Sequence, residues 1–323
     1  MGWLIYTAIL TVLIAATLRM LPNPPLTDRA KLWRDKGTFF KFGKHDIFYI
    51  DEKGRHPDKG TVLIFHGFPT SSYDWIKVLD DLKSEFSQVV LYDLLGFGFS
   101  DKPMDGYAFT MSEQTDIGEA LLLKLGITEA HILAHDYGDT VALELLARHN
   151  KGESKIKILS LCLSNGGIFP ETNKPMLIQW ILKNPVIGNV IPTFFYFKSI
   201  FKISLGRAFG LRPSDEEFDD FFTIKLHKDG HMADSRLLNY ISERSINRDR
   251  WVGALQTTKV PVHMIYGPAD VINPPAFIQF YKEKCSNPSI NGAENQKIGH
   301  YPQFEAPKDF FVAYRTFITA KRP

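Results

Sequence analysis

The stretch that decides the fold is Ala130-His131-Ile132-Leu133-Ala134-His135-Asp136-Tyr137-Gly138-Asp139. A short apolar run enters a tight turn, and a helix-patterned segment, Gly138–His149, leaves it. A sharp turn between strand and helix projects one side chain, here Asp136, and points backbone N–H groups at the atom above it. Small residues must flank such a turn. Ala134 and Gly138 meet that need, whereas Asp139 stands where a second small residue is usual. A carboxylate at Asp139 is expected to act at the helix N-terminus, where negative charge is stabilised. Alone, Asp136 also reads as a plain helix cap, so its meaning depends on the rest of the chain.

Outward from the turn, apolar runs with β-branched and aromatic residues recur at Asp46–Ile50, Thr61–Phe65, Gln88–Tyr92, Ala130–Ala134, Ile158–Ser164 and Val260–Tyr266. Helix-patterned segments such as Thr110–Leu125 separate several of them. This alternation predicts an α/β fold with a mostly parallel central sheet and helices on both faces. It breaks between about Pro170 and Arg250, where the chain is helical in texture and rich in aromatics (Trp180, Phe194, Phe195, Tyr196, Phe197, Phe201). A helical insertion of this kind predicts a cap over a site. The expected organisation is an N-terminal membrane anchor over 1–21, a linker over 22–44, core over 45–168, cap over 169–250 and the rest of the core over 251–323.

Three further strings follow the right strands. His66-Gly67-Phe68-Pro69 comes directly after Thr61–Phe65, and Asp93-Leu94-Leu95-Gly96-Phe97-Gly98-Phe99-Ser100 after Gln88–Tyr92. Downstream, Gly267-Pro268-Ala269-Asp270 ends the last apolar run, and Gly299-His300-Tyr301-Pro302-Gln303-Phe304-Glu305-Ala306-Pro307 lies near the C-terminus. Together with the Asp136 turn, these strings resemble the α/β-hydrolase superfamily, whose chain order is nucleophile, acid, histidine. The resemblance implies that Asp136 is the nucleophile, Asp270 the acid and His300 the histidine. It also implies an oxyanion hole from the backbone N–H groups of Phe68 and Tyr137, a structural role for His66, and another for the glycine turn after Asp93.

No serine competes for the nucleophile position. Ser100 lacks a closing glycine and a following helix, and Ser164 leads into the cap region. A carboxylate acylates poorly but attacks sp³ carbon bearing a good leaving group, giving an alkyl ester that a histidine-activated water then cleaves. Epoxide hydrolases and haloalkane dehalogenases work this way. The run Pro69–Trp75 looks close to the dehalogenase version. The halide-binding Asn and Trp common in dehalogenases are replaced here by Phe68 and Tyr137. Tyr240 matches, in sequence context, one of the cap tyrosines by which epoxide hydrolases stabilise a leaving alkoxide. Trp75 and Tyr196 are expected to contact substrate. The expected reaction is therefore the opening of lipophilic epoxides. The alternatives are a dehalogenase, an ester or thioester hydrolase, or a silent binding protein on the same scaffold.

The strings His66–Trp75, Leu95–Pro103, His135–Asp139, Leu161–Thr172 and Arg250–Leu255 more closely resemble the mesoderm-specific transcript homologues, relatives of epoxide hydrolases. That resemblance implies association with the endoplasmic reticulum. The N-terminus agrees: Gly2–Leu18 carries no charge, and Arg19, Arg29, Lys31 and Arg34 follow it. Such a segment is at the short end of what spans a bilayer, and the basic flank predicts a single-pass anchor with a cytosolic body. A formal net charge of +2 gives no basis for nucleic-acid binding. The two cysteines, Cys162 and Cys285, form no metal-ligand spacing. No cofactor and no metal are expected.

Overall fold

Eight strands form one sheet in the order β1-β2-β4-β3-β5-β6-β7-β8. They are β1 (Thr38–Phe42), β2 (His45–Lys53), β3 (Thr61–Phe65), β4 (Gln88–Tyr92), β5 (Glu129–Ala134), β6 (Lys157–Ser164), β7 (Val262–Tyr266) and β8 (Ile290–Gly292). The first two are antiparallel and the rest run parallel, as the continuous apolar runs predict. This computed structural model describes residues 2, 3, 6, 7, 10, 22–104, 106–184, 187, 188, 192, 196–285 and 288–320. The expected anchor, 1–21, and the cap residues Phe194 and Phe195 lie wholly or largely outside the described residues. Among the described residues, no helix is long and apolar enough to cross a membrane.

Helices cover both faces. They are α1 (Asp28–Lys36), α2 (Leu79–Lys83), α3 (Met111–Lys124) and α4 (Tyr137–Lys151), then, in the inserted region, α5 (Leu177–Leu182), α6 (Lys198–Gly206), α7 (Asp215–Leu226), α8 (Asp234–Leu237) and α9 (Tyr240–Ile246). The chain returns through α10 (Arg248–Thr257), α11 (Ala276–Lys284), α12 (Pro302–Glu305) and α13 (Pro307–Ala320). Alternate strand residues feed two apolar layers. Leu63, Phe65, Val90 and Ile132 pack toward one, and Val62, Ile64, Val89 and Leu133 toward the other. Each such side chain contributes roughly 1.5–3 kcal/mol when fully buried.

Two expected boundaries move. Residues 22–44, read as a linker, contribute α1 and strand β1. Thr27 caps α1 through the Ala30 N–H at 3.2 Å, and Trp33 is buried with its Nε1 donating to Ser72 Oγ at 3.2 Å. The cap boundary at residue 250 would cut α10, which docks on α4 instead. There Glu144 accepts from Arg250 Nε at 2.8 Å and from Trp251 Nε1 at 2.8 Å.

The turn after β4 explains its glycines. Asp93 accepts the Ser72 N–H at 2.8 Å and the Phe99 N–H at 2.6 Å. Gly98, at φ 47°, lies so close that a Cβ would stand 2.0 Å from Asp93 Oδ2. Gly98→Ala should therefore destabilise the fold by about 2–4 kcal/mol, measurable as a lowered denaturant midpoint. Gly126→Ala, also at positive φ but with nothing near it, should cost only the backbone strain, about 1–2 kcal/mol.

Candidate active site

At the end of β5 the chain turns through Asp136 with φ 49° and ψ −107°, a region that side chains other than glycine seldom adopt. The turn is held by the Asp136 N–H donating to the Ser164 carbonyl at 3.1 Å and by the Gly138 N–H donating to the His135 carbonyl at 2.8 Å. Gly138 is needed for close packing, because a Cβ there would stand 2.6 Å from Phe65 Cβ. The sequence thus predicts the turn correctly, and Asp136 sits on it without a side-chain cap bond.

The structure brings together five of the expected groups. Phe68 N–H donates to Asp136 Oδ2 at 2.9 Å. Tyr137 opens α4, so its N–H has no acceptor inside the helix. His300 Nδ1 is 2.9 Å from Asp270 Oδ2, and His300 Nε2 is 3.5 Å from Asp136 Oδ1. The second distance is that of an ion pair rather than a tight hydrogen bond.

Burial works against charge on both partners, and mutual attraction outweighs it. Burial alone would depress His300, but Asp270 and Asp136 push it up to about 10. Burial alone would raise Asp136, but His300 holds it down at about 2. Both shifts favour the carboxylate–imidazolium form of the pair. Alkylating or neutralising Asp136 would remove one of the charges that keep the proton on His300.

Tyr240 opens α9 as a buried side chain, its ring 4.9 Å from that of Tyr137 and 6.4 Å from that of Phe68. Burial and the Asp136 charge raise its phenol, while the Arg244 cation, 4.8 Å from the ring, opposes them. Tyr196 lines a pocket under the cap, together with Phe68, Leu182, Phe201 and Tyr301. Gln179, Ser204 and Asp234 add polar atoms to its wall. The cavity reaches Phe68 and Tyr301, whereas Asp136 and His300, at 3% and 0% exposure, sit just behind them.

One expectation fails, and one residue takes a more buried setting than its position suggests. Trp75 does not reach the cavity: the short turn Ser72–Trp75 sends it into the core, with its ring 5.8 Å from that of Phe310 on α13. The large indole gains more by filling that layer than by facing a mouth. Asp139 stands in the first turn of α4, at the helix end where the sequence puts it, but as a buried group. It is fully buried, its oxygens accept the Ser164 N–H at 3.3 and 3.1 Å, and burial pushes its pKa well up. Gly166 makes the room, since a Cβ there would lie 2.2 Å from Asp139 Oδ2.

His66 has the structural role expected of it, accepting the Leu94 N–H at Nε2 (3.0 Å) while Nδ1 faces the Gly67 carbonyl at 2.9 Å. Other supports went unread in the sequence. Asn165 donates to Asp270 Oδ2 at 2.8 Å, and Asn273 donates to the same oxygen at 3.2 Å. His135 Nε2 faces the His300 carbonyl at 2.8 Å. Glu305 accepts the backbone N–H groups of Gly210, Leu211, Gly299 and Tyr301 at 2.9, 2.7, 2.9 and 3.0 Å. It thereby ties the histidine loop to the cap. Asn165 lies in the same string as Ser164, which drew attention only as a nucleophile candidate. Among the described residues, no cluster suits a metal ion.

The comparisons with known proteins agree with this architecture. The alpha/beta hydrolase fold family matches residues 60–307. The mesoderm-specific transcript homolog protein of Homo sapiens is 41% identical over 98% of this chain and 96% of its own length. Among solved structures, a loop variant of haloalkane dehalogenase DbeA from Bradyrhizobium elkanii superposes with a TM-score of 0.71 at 19% identity, covering 88% of this chain and 96% of that one. The epoxide hydrolase CorEH gives 0.69 at 18%, covering 88% and 99%. At such identities the two structures speak for the fold alone, whereas the long match to the human protein speaks for close kinship. The chain belongs to the α/β-hydrolase-fold family and, within it, to the group of mesoderm-specific transcript homologues.

Proposed function

We propose that the protein is a hydrolase with Asp136 as nucleophile, opening lipophilic epoxides through an ester on its own carboxylate. The observation that carries this reading is the Asp136 carboxylate on the strained turn, 2.9 Å from the Phe68 N–H and 3.5 Å from His300 Nε2. An ionised carboxylate that receives a hydrogen bond and faces an imidazole has the parts for alkylation followed by hydrolysis. The largely apolar cavity beside Phe68 supports a lipophilic substrate.

In this mechanism an Asp136 oxygen attacks an epoxide carbon, the C–O bond breaks, and the alkoxide takes the proton of Tyr240. Asp136 is now neutral, so His300 yields its proton to the phenolate. His300 next takes a proton from water as the water oxygen adds to the Asp136 carboxyl carbon. The Phe68 and Tyr137 N–H groups hold the resulting oxyanion. Collapse expels the second alkoxide, which takes the remaining water proton to complete a diol. His300 keeps its proton, and the resting ion pair returns.

We propose also that the N-terminal segment anchors the chain in the endoplasmic reticulum membrane with the body on the cytosolic side. Where the chain leaves that segment it is tied to the cap: Asn23 Nδ2 donates to the Leu226 carbonyl at 3.2 Å, and Thr27 Oγ1 to Asp220 at 2.5 Å. The cap exposes Leu177, Trp180 and Ile203 at 67%, 72% and 54%. These exposed apolar side chains sit on the two helices, α5 and α6, that line the cavity, and they suit delivery of substrate from a bilayer.

Three outcomes test this. In single turnover with an epoxide in ¹⁸O-water, label should enter Asp136, seen by peptide mass; turnover without label would reject the ester route, and halide release from haloalkanes would favour a dehalogenase. Asp136→Ala should lower turnover by roughly 10⁴-fold or more, while His300→Gln should accumulate the alkyl ester. The rate of ester formation should stay flat between about pH 5 and 8. Asp136 is depressed below that interval and stays ionised, and His300 is raised above it and stays protonated. An inflection near the ordinary imidazole value of about 6.5 would contradict the ion pair. For the anchor, carbonate extraction of microsomes should leave the chain in the membrane, and added protease should digest the body.

A further inference from the structure

Two cationic side chains are buried among the described residues, Lys225 and Arg244. Lys225 is neutralised by Asp234. Arg244 is not neutralised in this way. It is 2% exposed, its polar neighbours are the uncharged Thr140, whose Oγ1 is 3.4 Å from Nη2, and Tyr240, and its Nε has no hydrogen-bond partner. No carboxylate among the described residues stands within 4.0 Å of it. The neighbouring Glu243 is occupied by the Met111 N–H at 3.1 Å and by Asn239 at 3.3 Å.

A guanidinium does not shed its proton on burial, so desolvation is a standing cost unless an anion meets it. The Tyr240 ring, 4.8 Å away, offsets only part of that cost. The room for the group is also built in, because Gly167 leaves the space where a Cβ would lie 2.1 Å from Arg244 Nη1.

The position matters as much as the charge. Thr140 lies one turn along α4 from Asp136, and Tyr240 lies between Arg244 and the Phe68–Tyr137 pair. Phe68, which lines the cavity, has its ring 6.4 Å from that of Tyr240. Apolar cavity, phenol and unpaired cation therefore follow one another.

We propose that Arg244 binds an anionic group of the substrate, a carboxylate or a phosphate, placed within a few bonds of the carbon that Asp136 attacks. The proposal rests on the reading of the Asp136 site given above and narrows its substrate class. The substrate is an amphiphile with its apolar tail in the cavity and its charge at the inner end. Planar, paired N–H donors suit both anions, and binding one offsets the burial of the cation.

The test uses binding, which needs no turnover. Decanoate, decyl phosphate and methyl decanoate are titrated calorimetrically into the full-length protein and into its Arg244→Met and Arg244→Lys variants. The wild type should bind at least one of the two anions about tenfold or more tightly than the ester. Arg244→Met should erase that preference by weakening the anion, and Arg244→Lys should keep part of it. The anion preferred identifies the source, carboxylate or phosphate. Equal wild-type affinity for acid and ester, or a preference that survives Arg244→Met, overturns the proposal. If Arg244→Met fails to fold, the wild-type comparison and the lysine variant decide. Failure of the ¹⁸O experiment would leave an anion preference standing, and loss of the preference would leave the labelling result standing, so the two readings fail separately.

Discussion

The Asp136 carboxylate is held between the Phe68 N–H at 2.9 Å and the His300 imidazole at 3.5 Å, and it is 3% exposed. An ionised carboxylate out of water is costly unless it is met on both sides. Most of the local architecture serves to keep those two partners in place. β3 delivers Phe68 through the His66–Gly67 turn, whose Gly67 passes so close that a Cβ would lie 2.9 Å from Asp136 Cβ. β7 delivers Asp270, and Asn165 and Asn273 fix the oxygen that faces His300. The strained backbone at Asp136 persists because parallel strands on both sides of β5 leave the chain no other exit.

The surroundings of that pair are unusually rich in buried ionisable groups. Asp74 takes the Thr70 hydroxyl at 2.6 Å, and burial raises its pKa well above the usual carboxylate range. Asp139 is raised in the same way, and burial lowers His135 to about 3. All three shifts favour the neutral form. Asp74, Asp139 and His135 therefore stand around the Asp136–His300 pair as uncharged supports.

Much of this was legible in the sequence. The turn at Asp136, the strings around His66, Asp270 and His300, and the strands β3 and β4 follow local rules of turn geometry and apolar runs, and those rules hold. Strand β1 was not legible because an edge strand with one buried residue, Phe40, carries little apolar signal. Strand β8 is too short to show. The environment of Asp139 depends on Gly166, and the support of Asp270 on Asn165; both are contacts between residues far apart in the chain, which no local pattern reports. Trp75 misled because the run Pro69–Trp75 resembles the dehalogenase version, while its own direction is set by packing against Phe310.

Glu305 gathers N–H groups from Gly210 and Leu211 in the inserted region and from Gly299 and Tyr301 around the His300 imidazole. The Ala208 carbonyl also accepts the His300 N–H at 2.9 Å. This end of the insertion is thus welded to the histidine's own loop. A bulky guest that needs the insertion to shift would have to be admitted away from this fixed corner, where movement leaves the His300 loop undisturbed.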